Sequence, residues 1–125
     1  MKTYQPKSGY NPNLAEMGLA APLDQHVVIP IQVSNGKPSL KNPNQNTAYI
    51  DQGQYALWVC NEPFTVWFDD PTAKREADTH SAKGTGYKYA AESKAKDFKY
   101  TNMPYDYHID VAGGTLDPII IIRPS

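Results

Sequence analysis

The sequence predicts an all-β chain, a single Greek-key β-sandwich of about seven strands. Short runs rich in β-branched and aromatic residues recur along it, punctuated by Pro, Gly and Asn, and no alternating helical stretches separate them to build a parallel sheet. A chain of 125 residues holds one hydrophobic core, burying roughly two-thirds of the surface its unfolded form exposes. Residues 1–125 are therefore read as one domain.

Taken in order, residues 1–24 carry Pro6, Gly9, Pro12, Gly18 and Pro22 and read as an irregular lead-in anchored by Leu14, Met17 and Leu19. His26 to Val33 is a β-branched run, and Asn35-Gly36 after it signals a tight hairpin, because a type I′ turn needs positive φ at both central residues. Pro38 on the returning arm favours a sheet edge, since it has no N–H to give a ladder. Lys41 to Asn46 is a polar loop. Gln54–Cys60 and Phe64–Phe68 follow as central strands, joined by a turn at Asn61-Glu62-Pro63. The first is apolar on both faces, with Tyr55, Leu57 and Val59 on one and Ala56, Trp58 and Cys60 on the other, which predicts a middle position covered on both sides.

Asp70-Pro71 looks like a helix cap with proline at the first helical position, and one short helix is expected near 70–77. Strand character returns at Gly86–Ala90 and near Lys96–Tyr100, read together as a hairpin over 83–100. From Tyr105 to Val111 the pattern is strict alternation: Tyr105, Tyr107, Ile109 and Val111 against Asp106, His108 and Asp110, the mark of one buried and one wet face. Gly113-Gly114 turns the chain into Leu116–Ile122, whose four consecutive isoleucines predict a strand buried on both faces.

Charge and cysteine count narrow the function. A net charge of −1 sets up no field to recruit polyanions. Cys60 is the single cysteine, so there is neither an internal disulfide nor a multi-cysteine zinc site. At the end of an apolar strand it reads as a buried, inert thiol and not as half of a thiol–imidazole pair with His26, His80 or His108. The serines lie in turn-like sequence without a nucleophile elbow, and Lys83-Gly84-Thr85-Gly86 is too short for a phosphate loop. The N-terminus lacks the apolar core of a secretory signal and no apolar stretch reaches the ~20 residues of a membrane span, so a cytoplasmic location is expected.

Three constellations remain. Asp106, His108 and Asp110 share one strand face at ~7 Å spacing and form a metal site if a neighbouring strand adds a ligand; otherwise they are a solvated face. Asp69, Asp70, Glu76, Asp78 and His80 cluster in a long loop, but they lack calcium-loop spacing and sit beside Lys74 and Arg75. Tyr87, Lys88, Tyr89, Lys96, Lys99 and Tyr100 interleave bases with aromatics, a pattern used on single-stranded nucleic acid and equally on a protein or glycan surface.

The runs Tyr55–Val59, Phe64–Phe68, Tyr105–Asp110 and Asp117-Pro118-Ile119-Ile120-Ile121-Ile122-Arg123-Pro124 resemble those of small stand-alone bacterial β-sandwich proteins. These have a tyrosine-rich penultimate strand and a terminal D-P-x-I-I-I-x-P strand. The resemblance implies an immunoglobulin-like or cupredoxin-like fold. It implies no copper, because Cys60 is followed by Asn61-Glu62-Pro63 where a cupredoxin has histidine and methionine, and Met103 precedes His108. The function expected is a non-enzymatic binding or assembly module without a cofactor. It would recognise a protein or glycan partner through Tyr87, Lys88, Tyr89, Lys96, Lys99 and Tyr100, and self-associate through an edge strand as a homo-oligomer. The alternatives are a metal protein using Asp106, His108 and Asp110, and nucleic-acid binding through 83–100.

Overall fold

The computed structural model describes residues 23–69, 75–76, 82 and 85–124, the pair 75–76 by its backbone. They fold into two packed sheets with no α-helix among them. The smaller sheet has the order β2-β1-β4-β7, from β1 (His26–Ser34), β2 (Lys37–Leu40), β4 (Tyr55–Cys60) and β7 (Tyr89–Lys94). The larger runs β3-β10-β8-β5-β6, from β3 (Thr47–Asp51), β5 (Thr65–Phe68), β6 (Arg75–Glu76), β8 (Pro104–Val111) and β10 (Ile119–Arg123), with β9 (Gly114–Leu116) also on β8.

The hairpin signal is realised: Asn35 and Gly36 have φ of 53° and 78°, and β2 carries Pro38 on the sheet edge. Gly113, in the β8–β9 turn, touches this hairpin. A Cβ there would stand 2.1 Å from the Gly36 carbonyl oxygen, so only glycine lets the two turns meet. β4 takes the central place its two apolar faces demand, between β1 and β7. Ala56, Trp58 and Cys60 face the main core with Ile29, Val66, Tyr107, Ile109, Ile120 and Ile122, while Leu57 and Val59 join Ala82 and Ala90 on the opposite side. Inside the core the Trp58 indole N–H donates to the Tyr107 hydroxyl at 3.1 Å, and burial pushes the Tyr107 phenol well above its ordinary pKa.

Four expectations need correction. Arg75 and Glu76 are a strand on β5, pairing with Val66 and Thr65, where a helix near 70–77 is expected; residues 70–74 and 77 lie outside the described residues. A single helical turn has little stability of its own, and the free edge of β5 offers a ladder instead. Among the described residues the 83–100 segment forms no hairpin: β7 pairs there only with β4, and a 3-10 turn at Ala95–Asp97 then drives Phe98 into the core against Phe68 and Tyr105. The four isoleucines are not buried on both faces, for Ile120 and Ile122 are fully buried while Ile119 and Ile121 remain half-exposed. Finally, Thr47–Asp51, read as part of no strand, forms β3 and pairs in parallel with β10; β1 and β4 make a second parallel pair. The lead-in anchors Leu14, Met17 and Leu19 lie outside the described residues.

Candidate recognition face

The outward face of the larger sheet is built by register. Because Tyr107 and Ile109 point into the core, Asp106, His108 and Asp110 must point out, as the alternation predicts. The pairing of β8 with β9 continues unshifted into β10 across Asp117-Pro118, where the proline cannot donate. That places Asp117 opposite His108 and Pro118 opposite Tyr107, whose N–H donates to the Pro118 carbonyl at 3.1 Å. On the other side β5 sets Trp67 opposite His108 and Thr65 opposite Asp110.

The side chains lock in these rows. The imidazole of His108 stacks on the Trp67 indole, with ring centroids 4.0 Å apart and planes 28° apart. Its Nδ1 bonds Asp117 at 2.5 Å and its Nε2 bonds Asp69, diagonally across just past the end of β5, at 2.9 Å. With a carboxylate on each nitrogen the ring is placed to donate twice when it is protonated. Its pKa is raised, first by the Asp117 hydrogen bond, against partial desolvation, and then by Asp69. Trp67 Nε1–H donates to Asp110 Oδ2 at 2.7 Å, and the Thr115 hydroxyl donates to Asp110 Oδ1 at 2.6 Å. At the far side of the sheet the Arg123 guanidinium bonds Asp51 at 2.8 Å and lies over the Tyr49 ring, 5.6 Å from its centroid.

Asp106, His108 and Asp110 are therefore on one face but turned to different partners: His108 to Asp69 and Asp117, Asp110 to Trp67 and Thr115. Among the described residues no group of three or more His, Cys, Asp or Glu side chains is placed to hold a metal ion. Of the loop cluster, Asp69 belongs to this network and Glu76 to β6, while Asp70, Asp78 and His80 lie outside the described residues. Sequence reading missed Trp67 and Asp117 as site residues, since their role comes from pairing partners up to 43 positions away.

The basic-aromatic set is dispersed. Tyr87 packs against Leu57, Val59 and Ala90, and Tyr89 against the main core. Lys88 lies exposed at the start of β7, where its backbone N–H donates to the Asn61 side chain, while Lys96, Lys99 and Tyr100 lie beyond the other end of the strand. Lys99 covers its neighbour Tyr100 at 5.3 Å.

Two further features lie on the smaller sheet. A hollow of about 340 Å³ at one end of the sandwich is lined by Ile31, Val33, Lys41, Cys60, Glu62 and Tyr87 among others, and no hydrogen-bonded acid–base pair stands among these. Burial holds the Cys60 thiol above its usual pKa, so it is protonated and unreactive at neutral pH. His26 Nε2 bonds Glu92 Oε2 in a pair whose side chains are 0% and 1% exposed. Both histidines of the described residues thus turn to carboxylates and not to the thiol. Comparison with models of protein families, with curated proteins and with solved structures returns no match. No helix among the described residues is long and apolar enough to cross a membrane.

Proposed function

We propose that the chain is a non-enzymatic binding module that recognises a protein partner through the outer face of its larger sheet. The observation that carries this reading is the gathering of Trp67, Tyr49 and Arg123 on one face that stays open to solvent. These are the three residue types that dominate binding energy at protein interfaces. The half-exposed Ile119 and Ile121 lie between them in the sheet order. The polar groups of the face hold each other in the plane of the sheet. They do not converge on an enclosed hollow as acids, bases or metal ligands of an active site do. Asp51, Asp69, Asp106, Asp110 and Asp117 outnumber Arg123 and His108, so the face is acidic and complements a basic partner surface.

The test is capture of a partner from native cell extract on the immobilised protein, set against the Trp67→Ala variant, whose fold is checked by circular dichroism. Loss of a hot-spot tryptophan costs at least ~2 kcal/mol, so affinity falls roughly thirtyfold, and capture weakens as salt rises. Equal capture by wild type and Trp67→Ala, or catalytic turnover that survives in the variant, overturns the proposal.

A further inference from the structure

β3 is the outer strand of the larger sheet, and its backbone shows which of its groups are unused. Gln52 N–H donates to the Arg123 carbonyl at 3.0 Å. In a parallel ladder this fixes the parity: Gln52, Ile50 and Ala48 direct their N–H and C=O to β10, while Asp51, Tyr49 and Thr47 direct theirs outward, away from the sheet. The Asp51 groups are capped within the chain. Its N–H donates to Gln54 Oε1 at 3.0 Å, and its carbonyl accepts the Gln54 N–H at 2.8 Å. No turn or side-chain bond among the described residues takes those of Thr47 and Tyr49, and the Tyr49 side chain beside them is 51% exposed.

The two edges of the smaller sheet carry protection that β3 lacks. β2 has Lys37 and Pro38, and β7 has Lys94 and the buried charge of Glu92. Lysine, proline and inward charge are the devices that keep sheet edges from pairing. The run Thr47-Ala48-Tyr49-Ile50 contains none of them.

We infer that the β3 edge is a self-association surface, and that its occupant is β3 of a second copy of this chain, antiparallel about a two-fold axis at Ala48. In that register Thr47 of each copy lies opposite Tyr49 of the other. Both outward pairs then close, four N–H···O bonds in all, and the Gln54 cap on Asp51 stays in place. No charged side chain meets a like charge. The two Tyr49 rings become diagonal neighbours on the outer face, within reach of one another. The two larger sheets join into one, which doubles the outer face proposed above without depending on that proposal. Two five-residue edges bury less than the ~1,200 Å² of a standard interface, so the dimer is weak and concentration-dependent.

Amide hydrogen exchange followed by NMR over roughly two decades of protein concentration reads this directly, because exchange reports pairing residue by residue. The Thr47 and Tyr49 amides should slow as concentration rises, while those of Ala48 and Ile50 are protected throughout. Sedimentation velocity should shift from monomer towards dimer over the same range, and Tyr49→Lys, which sets two ammonium groups diagonally across the axis, should abolish both effects. Trp67→Ala should dimerise like wild type, which separates this outcome from failure of partner recognition. Concentration-independent exchange at Thr47 and Tyr49, sedimentation as a monomer throughout, or undiminished dimerisation of Tyr49→Lys overturns the inference.

Discussion

The buried His26–Glu92 pair gives the sharpest prediction about stability. Strand order puts β4 between the two residues, with His26 opposite Tyr55 and Glu92 opposite Leu57. The pair therefore crosses over the central strand and ties β1 to β7. Its side chains are 0% and 1% exposed, so neither is solvated if the other is removed. Breaking such a pair from one side costs about 3–5 kcal/mol, whereas replacing both partners by apolar groups of like volume is close to neutral. Against a total of ~5–15 kcal/mol for a domain, Glu92→Ala or His26→Ala should forfeit at least roughly a fifth of the stability. Glu92→Gln, which keeps an acceptor, should lose less, and the double variant His26→Leu/Glu92→Leu should be more stable than either alanine variant. Urea unfolding of wild type and the four variants at one pH measures this through the midpoint shifts. Single-variant costs below ~1 kcal/mol, or a double variant less stable than both singles, would show that the pair is not the tie described.

Gly113→Ala forces a methyl to within 2.1 Å of the Gly36 carbonyl oxygen and must separate the two turns; a loss of ~1–3 kcal/mol is expected in the same assay, and no loss would mean that the turns do not touch. The His108 clasp has a defined pH sign. Its folded pKa lies above the unfolded value, so its contribution is complete below the ordinary histidine pKa and disappears as pH rises through the raised one. The stability difference between wild type and His108→Gln should therefore shrink with rising pH and with added salt, remaining under ~1 kcal/mol because Asp69 and Asp117 are 66% and 71% exposed. A difference that grows with pH refutes the doubly donating imidazolium.

What the sequence made legible is what depends on period and punctuation. Alternation in Tyr105–Val111 placed Asp106, His108 and Asp110 outside, Asn35-Gly36 set the first hairpin, and the double-faced run Tyr55–Cys60 found the centre of the smaller sheet. The misses came from pairing between distant segments, which no local pattern encodes. Thr47–Asp51 becomes a strand because β10 accepts it in parallel; Thr47, Tyr49 and Ile50 favour strands, but a run of five residues directly after a polar loop is too short to announce a distant partner. Arg75 and Glu76 follow the edge of β5 in place of their local helical signals. The partners of His108 are invisible for the same reason: Asp69 lies 39 residues before it and Asp117 nine after, and only the joint register of β5, β8 and β9 brings them to one ring.

That same register explains why the open face and the open edge lie on one sheet. β8 spans the sheet's width of function: its residues 107–110 hold β5, while 104–106 and 109–111 hold β10 and β9. The long middle strand thus fixes Trp67 on one side and, through β10, Tyr49 on the other. The smaller sheet has less such freedom, because its outward side at Leu57, Val59 and Glu92 is fully buried and opens to water only over β1, at Val28 and Gln32. Exposed recognition chemistry can collect only where one face of a sheet is left to water, and an edge can recruit a second copy only where no proline, lysine or inward charge guards it. Among the described strands, the outer face of the larger sheet and the β3 edge meet at Tyr49, so dimerisation and partner binding should be coupled there. Saturating partner should shift the dimer equilibrium if Tyr49 serves both, and leave it unmoved if the two surfaces act apart.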